Sequence, residues 1–394
     1  MKDNTRLLSS QNDDELPHLW QKPSYGELLA CLEKLRVQLR VWNLRHGSSA
    51  RTAREREQQQ AASASKYDRR EVISFLSSLI SSPLAWLDSD EEREAIWDQA
   101  SKRMAERCGR TAMGEITRYW PFEVPAADDG GDFTLAIREP PLTGDSLGLK
   151  TWGSSYALAR LLPTFSAPSG PLAHLFAASG SGIARHSALG EKREILELGS
   201  GTGLLGLAAA CLWGASVALT DLPDILPNLR HNAELNAEVL ASRGGGARVA
   251  PLTWGGAGAE ETDPAFLERM NGYQLVLVAD PLYDDNHPSL LSRAIDEQLS
   301  LSPSARVLIM VPQRDATTKR LLGELRELLA AGSRALPPLR CLAEDIVHGQ
   351  DDWGAEDDGP GNDGEEGDED EHRKVGFWWG VFGREMGAAE VVMS

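Results

Sequence analysis

The stretch Glu194 to Leu207, EILELGSGTGLLGL, limits the folds open to this chain more than any other. A short apolar run, Ile195 to Leu198, leads into three glycines in five residues, Gly199, Gly201 and Gly203. An apolar, alanine-rich segment follows from Leu204 to Trp213. The pattern is buried strand, tight turn, buried helix, the first half of a nucleotide-binding α/β unit. Glycine is needed at the turn because the backbone must reverse sharply and let a ligand approach closely. Gly201-x-Gly203-x-x-Gly206 also fits the spacing GxGxxG. That spacing alone does not separate a dinucleotide site from another ligand site, or from a tight turn with no ligand.

The alternation continues downstream. Strands are expected at Ser216–Thr220, Arg248–Leu252, Gln274–Ala279 and Arg306–Val311, with helices near Ile225–Leu240, Ser289–Ser300 and Thr317–Ala331. Two more strands, Leu339–Val347 and Lys374–Phe382, have no helix between them and should pair antiparallel. Five strand–helix units and a terminal hairpin make an α/β fold, a seven-stranded, mostly parallel, Rossmann-like sheet with helices on both faces. Ahead of it, Asp132–Arg138 alternates like a strand, and Thr151–Leu162 opens with a tight turn and becomes helical. Trp120–Pro125 reads as a connector, and Thr164–Lys192, rich in Gly, Ser, Ala and Pro, as a surface insertion.

Residues 1–120 read as an N-terminal helical domain and 121–394 as the α/β domain. Leu28, Leu29, Leu32, Leu35, Leu39 and Trp42 recur at helical spacing over Leu28–Leu44. Ser48–Arg70 reads as a solvated helix or linker, with a basic binding arm as the alternative. Glu71–Ile80 and Ser89–Cys108 read as helices, the second capped by Asp88, Ser89 or Asp90.

The net charge of −19 argues against a general nucleic-acid binder, which wants a basic face. Twelve Asp or Glu and no Lys or Arg lie between Asp351 and Glu371, however, so the net charge describes that tract more than a folded surface. The tract, 351–371, cannot form a packed core and is expected to be a flexible insertion between paired strands, or else a docking element for a basic surface. Four cysteines lie far apart without a CxxC, and Cys211 is most simply a core residue. The eight histidines form no ligand cluster, so no metal is expected. The start of the chain is polar and no apolar run reaches membrane length, which leads to the expectation of a soluble, cytoplasmic protein.

In such a sheet ligands bind beyond the carboxyl ends of the strands. The glycine turn ends the first strand. Asp221 ends the second, about twenty residues past the glycines, where a carboxylate can bond ribose hydroxyls. Trp254 follows the third, where an indole can stack on a purine. Ala279-Asp280-Pro281-Leu282-Tyr283 follows the fourth. A helix cap, ordinary packing or a turn would account for Asp221, Trp254 and Asp280 singly.

Taken together, ILELGSGTGLLGL, Thr220-Asp221, Leu252-Thr253-Trp254-Gly255 and Ala279-Asp280-Pro281-Leu282-Tyr283 resemble the seven-β-strand S-adenosylmethionine-dependent methyltransferases. Within them the chain resembles the protein-lysine methyltransferase branch marked by Asp-x-x-Tyr after strand four, from about Leu149 to Phe382. Thr151-Trp152-Gly153-Ser154-Ser155-Tyr156, the helical N-terminal extension and the acidic insertion before KVGFWWG are similar to the fungal lysine methyltransferases of translation elongation factor 2. The resemblance implies cofactor contacts from Trp152, Gly199, Ser200, Gly201, Asp221, Trp254 and Ala279, with Asp280 and Tyr283 as catalytic residues at the acceptor. It further implies a protein substrate, elongation factor 2, methylated by a monomer. A carboxylate favours the ammonium form of lysine, so Asp280 is expected to bind and orient the amine, not to deprotonate it. Pro281 directly after Asp280 departs from the pattern and removes one backbone donor. An NAD-dependent oxidoreductase would use the same glycine turn but leaves Trp254 and Ala279–Tyr283 without a role, and a non-catalytic module with this fold is the third reading.

Overall fold

The computed structural model of the chain describes residues 16–37, 68–108, 112, 114–124, 131–141, 147–176, 194–255, 261–332, 336–350 and 374–384. They fall into two compact units that divide between Gly114 and Glu115.

Among the described residues the first unit holds three α-helices, α1 (Tyr25–Lys34), α2 (Arg69–Ser81) and α3 (Asp90–Ala105). Each starts at a polar cap. Ser24 and Glu27 form a reciprocal capping box, and the hydroxyl of Ser89 accepts the Glu92 N–H. Leu28 and Leu32, one turn apart on α1, are buried with Leu76, Leu79, Ile96 and Ala100. The expected helix Leu28–Leu44 ends as described helix at Lys34; its last part, and nearly all of Ser48–Arg70, lies outside the described residues.

The described residues of the second unit carry nine strands. β1 (Ile116–Phe122) and β2 (Phe133–Glu139) form an antiparallel pair. The other seven are β3 (Glu194–Leu198), β4 (Ser216–Asp221), β5 (Gly246–Pro251), β6 (Leu275–Ala279), β7 (Arg306–Pro312), β8 (Leu339–Gln350) and β9 (Lys374–Arg384). They form one sheet in the order β5-β4-β3-β6-β7-β9-β8. β3 to β7 are parallel, and β9 runs antiparallel between β7 and β8. β9 takes the inner place because Phe377, Trp378, Val381 and Phe382 need burial, whereas β8 leaves Leu342 and Ile346 exposed at the edge. The strand order reverses between β3 and β6, which opens a crevice at their carboxyl ends.

Alternate residues of each strand sort onto opposite faces. Ile195, Val217, Leu219, Leu275 and Leu277 pack with α4 (Gly153–Ser166) and α5 (Leu204–Trp213). Leu196, Leu198, Val276, Val278 and Ile309 pack with α9 (His287–Gln298) and α10 (Ala316–Ala331). Two buried layers on one twisted sheet follow from this period of two. Three short helices complete the crossovers: α6 (Leu226–Leu235), α7 (Ala237–Ser242) and α8 (Pro264–Glu268). Cys211 lies in buried α5, and burial pushes its thiol up to about 12, so it is an inert core residue.

Three expectations change. Trp120–Pro125 is no connector, since residues through Phe122 belong to β1, whose Pro121 is tolerated in an outer strand. The segment Thr164–Lys192 is not all surface: α4 runs to Ser166, and Leu172 and Leu175 are fully buried, while 177–192 lies outside the described residues. The helix expected over Ile225–Leu240 breaks at Asn236 into α6 and α7. The acidic tract also lies outside the described residues; β8 and β9 pair up to its edges, Gln350 opposite Lys374. No helix among the described residues is long and apolar enough to cross a membrane.

Candidate active site

The glycine turn after β3 is left-handed at Gly199, Gly201 and Gly203, with φ of 66°, 56° and 89°. A side chain is also excluded by space. A Cβ on Gly199 would lie 2.9 Å from the Trp254 indole, and one on Gly201 would lie 3.2 Å from the Gly148 carbonyl. The turn is thus enclosed by Trp254 on one side and by the 3₁₀ turn Leu147–Leu149 on the other. Thr151 and Thr202 share a buried hydroxyl hydrogen bond of 2.8 Å that ties the segment before α4 to the turn. Gly206 lets α5 approach β3 and β4, for a Cβ there would come within 2.2 Å of Leu219.

Asp221 points back at this turn. Gly201 N–H donates to its Oδ2 at 2.7 Å, and Leu222 N–H to its Oδ1 at 2.8 Å. Burial pushes the Asp221 carboxyl above its usual range, and these two bonds oppose the shift. Ser200 is buried: its N–H donates to the Thr220 carbonyl at 2.9 Å, and its hydroxyl accepts the Thr220 N–H at 3.0 Å. Its side chain locks the turn to β4. Beneath the turn Glu197 is buried within β3, accepting the Gly206 N–H at 3.1 Å.

The second cluster follows β6. Ala279 is half-buried opposite Met310 of β7. Asp280 adopts the left-handed conformation, φ 54°, which aspartate tolerates better than most residues, and its N–H donates to the Met310 carbonyl at 2.9 Å. Both carboxylate oxygens of Asp280 are met by Arg314, at 3.0 and 2.6 Å, in a forked pair whose side chains are only 7% and 14% exposed. The Arg314 guanidinium also lies 5.0 Å from the Trp152 ring centre. Lys150 Nζ is 4.6 Å from the same ring, and the Trp152 indole N–H donates to the Leu147 carbonyl at 3.0 Å. Trp152 therefore connects the segment over the glycine turn to the Asp280 pair.

Tyr283 is exposed and packs edge-on against His287, 4.3 Å between ring centres. His287 donates to the Pro281 carbonyl at 2.8 Å and lies 6.0 Å from the Trp254 ring. Partial burial lowers the His287 pKa, so the ring is neutral near pH 7. Burial of part of its ring, and the charges of Asp221, Asp280 and Asp284, push the Tyr283 phenol up.

The structure brings Gly199, Ser200, Gly201, Asp221 and Trp254 together around one turn, and Trp152, Asp280 and Tyr283 into the adjoining cluster. Backbone groups, a carboxylate and an indole at a switch point are what a nucleoside-bearing cofactor requires. Four side chains at or beside the site were not singled out in the sequence: Glu197, His287, Arg314 and Asn232, whose amide donates to the Thr202 carbonyl in the glycine turn. Arg314 had a signal, since it follows the strand Arg306–Pro312 as Asp280 follows its own. Glu197 had one too, a charge inside an apolar run. Among the described residues no group of three His, Cys, Asp or Glu could hold a metal ion.

A family profile described as lysine methyltransferase matches residues 132–328, half of the chain. Protein-lysine N-methyltransferase rrg1 of Schizosaccharomyces pombe is 26% identical over 87% of this chain and 94% of its own length. Protein-lysine N-methyltransferase EFM2 of Saccharomyces cerevisiae is 31% identical over 68% of this chain, which spans 58% of that protein. Protein N-lysine methyltransferase METTL21A of Danio rerio is 38% identical over 34% of this chain and 56% of its own.

Proposed function

Since this chain belongs to the lysine methyltransferase family and is an S-adenosylmethionine-dependent protein-lysine N-methyltransferase, we propose that its acceptor lysine enters beside Asp280 and Tyr283 and that the protein methylated is translation elongation factor 2. The cofactor, when bound, supplies an electrophilic methyl group on a sulfonium. The residues proposed to hold it are Trp152, Gly199, Ser200, Gly201, Asp221, Trp254 and Ala279. Asp221 suits ribose: a carboxylate offers about four acceptor sites, and the two N–H bonds already present leave others for hydroxyl donors. Gly199 and Gly201 let backbone approach the ligand, and Trp254 offers an aromatic flank. Ser200 would act by fixing the turn, since its hydroxyl is spent on β4.

The observation that carries the acceptor assignment is the placement of Asp280. It is a left-handed residue at the carboxyl end of β6, next to the crevice, three residues before Tyr283. Asp280 would orient the amine and Tyr283 would wall its aliphatic stem. Positioning and exclusion of water then supply most of the acceleration. Elongation factor 2 rests on the likeness of the Thr151–Tyr156 segment, the N-terminal helical region and the acidic insertion to the fungal enzymes, and implies work in the cytoplasm, by a monomer.

Labelled S-adenosylmethionine, the protein and a cytosolic extract test the target: elongation factor 2 is the expected labelled protein, with the label on one lysine by mass spectrometry. Label on other proteins alone sinks that assignment. Asp280→Ala should slow transfer at least ~10²-fold, the scale of lost positioning, with cofactor affinity little changed. Near-wild-type turnover by a folded Asp280→Ala protein sinks the acceptor site.

A further inference from the structure

We propose that Arg314 is a positioning residue of the reaction, which cancels the charge of Asp280 so that Asp280 can accept a hydrogen bond from the acceptor lysine without holding it as an ammonium. The inference rests on the reading of Asp280 as the acceptor carboxylate. The chemical difficulty is plain. The nitrogen lone pair must form the new N–C bond as the S–C bond breaks and its electron pair returns to sulfur. The ammonium proton must therefore leave to water first, from a group with a pKa of about 10.4. A lone carboxylate at the entrance opposes that loss, whereas desolvation favours it.

The geometry resolves the conflict. Ala279 of β6 pairs with Met310 of β7, so the turns that follow the two strands lie side by side. Asp280 opens one turn and Arg314 stands two residues beyond Pro312 in the other. Their forked contact, 3.0 and 2.6 Å, sits where both side chains are largely withdrawn from water. Each Asp280 oxygen accepts one N–H there, and a carboxylate has about four acceptor sites in all. The Trp152 ring, 5.0 Å from the guanidinium, limits where the fork can swing.

Other charged or titratable groups among the described residues stand around the pair. Lys150 lies against Trp152, and Asp221, Asp284 and Tyr283 border the entrance. His287 is neutral near pH 7. Asp315 caps α10, accepting the Thr318 N–H at 2.7 Å, and the Arg314 charge helps hold its carboxyl below the usual range. Removing Arg314 takes away the cation that touches both oxygens of Asp280.

The experiment is a pH series of single-turnover rates with pre-bound cofactor, read as total label transferred into the protein fraction of a cytosolic extract. That readout does not depend on which protein is the target. Arg314→Met should move the acidic limb of the rate upward by roughly one pH unit or more, with the rate recovering at high pH. The double variant Asp280→Asn with Arg314→Met should return the limb to its wild-type position at a lower rate. Arg314→Lys, which keeps the charge and loses the fork, should leave the limb in place. Cofactor titration and a thermal melt report folding; if Arg314→Met does not fold, Arg314→Gln, which keeps hydrogen-bond donors and loses the charge, takes its place with the same upward shift expected. A limb unmoved in Arg314→Met, or one displaced in the double variant or in Arg314→Lys, overturns the role of Arg314. Near-wild-type turnover by Asp280→Asn alone overturns the reading of Asp280 beneath it.

Discussion

Glu197 is a carboxyl group in the middle of an apolar strand, with β4 and β6 on either side of it. Burial pushes its pKa from 4.5 up to about 8; bonds from Ser200 and Gly206 oppose the shift, and the charge of Asp221 adds to it. The folded protein therefore holds this proton in a range where the unfolded chain has released it. Stability from Glu197 is complete below about pH 4.5 and is lost as pH rises through about 8. Glu197→Gln keeps the shape and an acceptor for the Gly206 N–H while removing the titration. Urea unfolding at a series of pH values should show a flatter stability profile between pH 4.5 and 8, with a gain of order a few kcal/mol at the upper end. A slope equal to that of the parent protein would mean that Glu197 is already ionised when folded. At this scale the sequence is legible where a residue ends a strand, as Asp221 and Asp280 do. It is silent where a role depends on partners far along the chain. Nothing local joins Arg314 to a carboxylate thirty-four positions earlier.

The β1–β2 pair shows the same limit for elements. One edge of β2 is paired with β1, and its other backbone groups meet a row of asparagines one helical turn apart. Asn236 accepts the Ala136 N–H at 2.9 Å and donates to the Ala136 carbonyl at 2.8 Å. Asn232 does the same for Arg138, at 2.9 and 3.0 Å, and Asn228 donates to the Arg138 carbonyl at 3.2 Å. The side-chain amides of α6 and of its cap Asn236 here take the place of a neighbouring strand. Asn232 also donates to the Thr202 carbonyl at 3.0 Å, so the same residue steadies the cofactor turn. These spacings, 228, 232 and 236, were visible in the chain, but an exposed polar stripe has the same pattern. The strand β1 was visible too, in the alternation of buried Arg118, Trp120 and Phe122 with exposed Tyr119 and Pro121. Proline at one of those positions masked it. Asn232→Ala leaves buried backbone groups of β2 and of the turn without their partner. Unfolding in urea should show a loss of roughly 1–3 kcal/mol, and cofactor titration a weaker affinity than that of Asn228→Ala. Equal cofactor affinity in the two variants would confine Asn232 to holding the strand.

At the scale of the whole chain, each unit has its own core. Leu28, Leu76 and Ile96 belong to one buried cluster, and the residues of the sheet and its helices belong to two others. The sheet order, the switch point and both turns of the candidate site all lie after Glu115. Strand–helix alternation made this part of the fold legible, because a parallel sheet requires a long crossover between neighbours and the chain supplies one each time. The placement of β9 between β7 and β8 was not, since the hairpin expected from sequence is satisfied by either strand on the inside. A chain shortened to residues 115–394 keeps β1, its pairing with β2 and every residue assigned to cofactor or acceptor. It should melt cooperatively and bind S-adenosylmethionine as the full chain does. The described helices of the first unit carry polar caps and a small core, and we propose that this unit selects the substrate. Transfer to the intact protein substrate should then fall while transfer to a short peptide bearing the same lysine stays level. The comparison of the two acceptors separates selection from chemistry: equal losses on both would place part of the catalytic apparatus in the first unit, and full activity on the intact protein would leave that unit without a part in recognition.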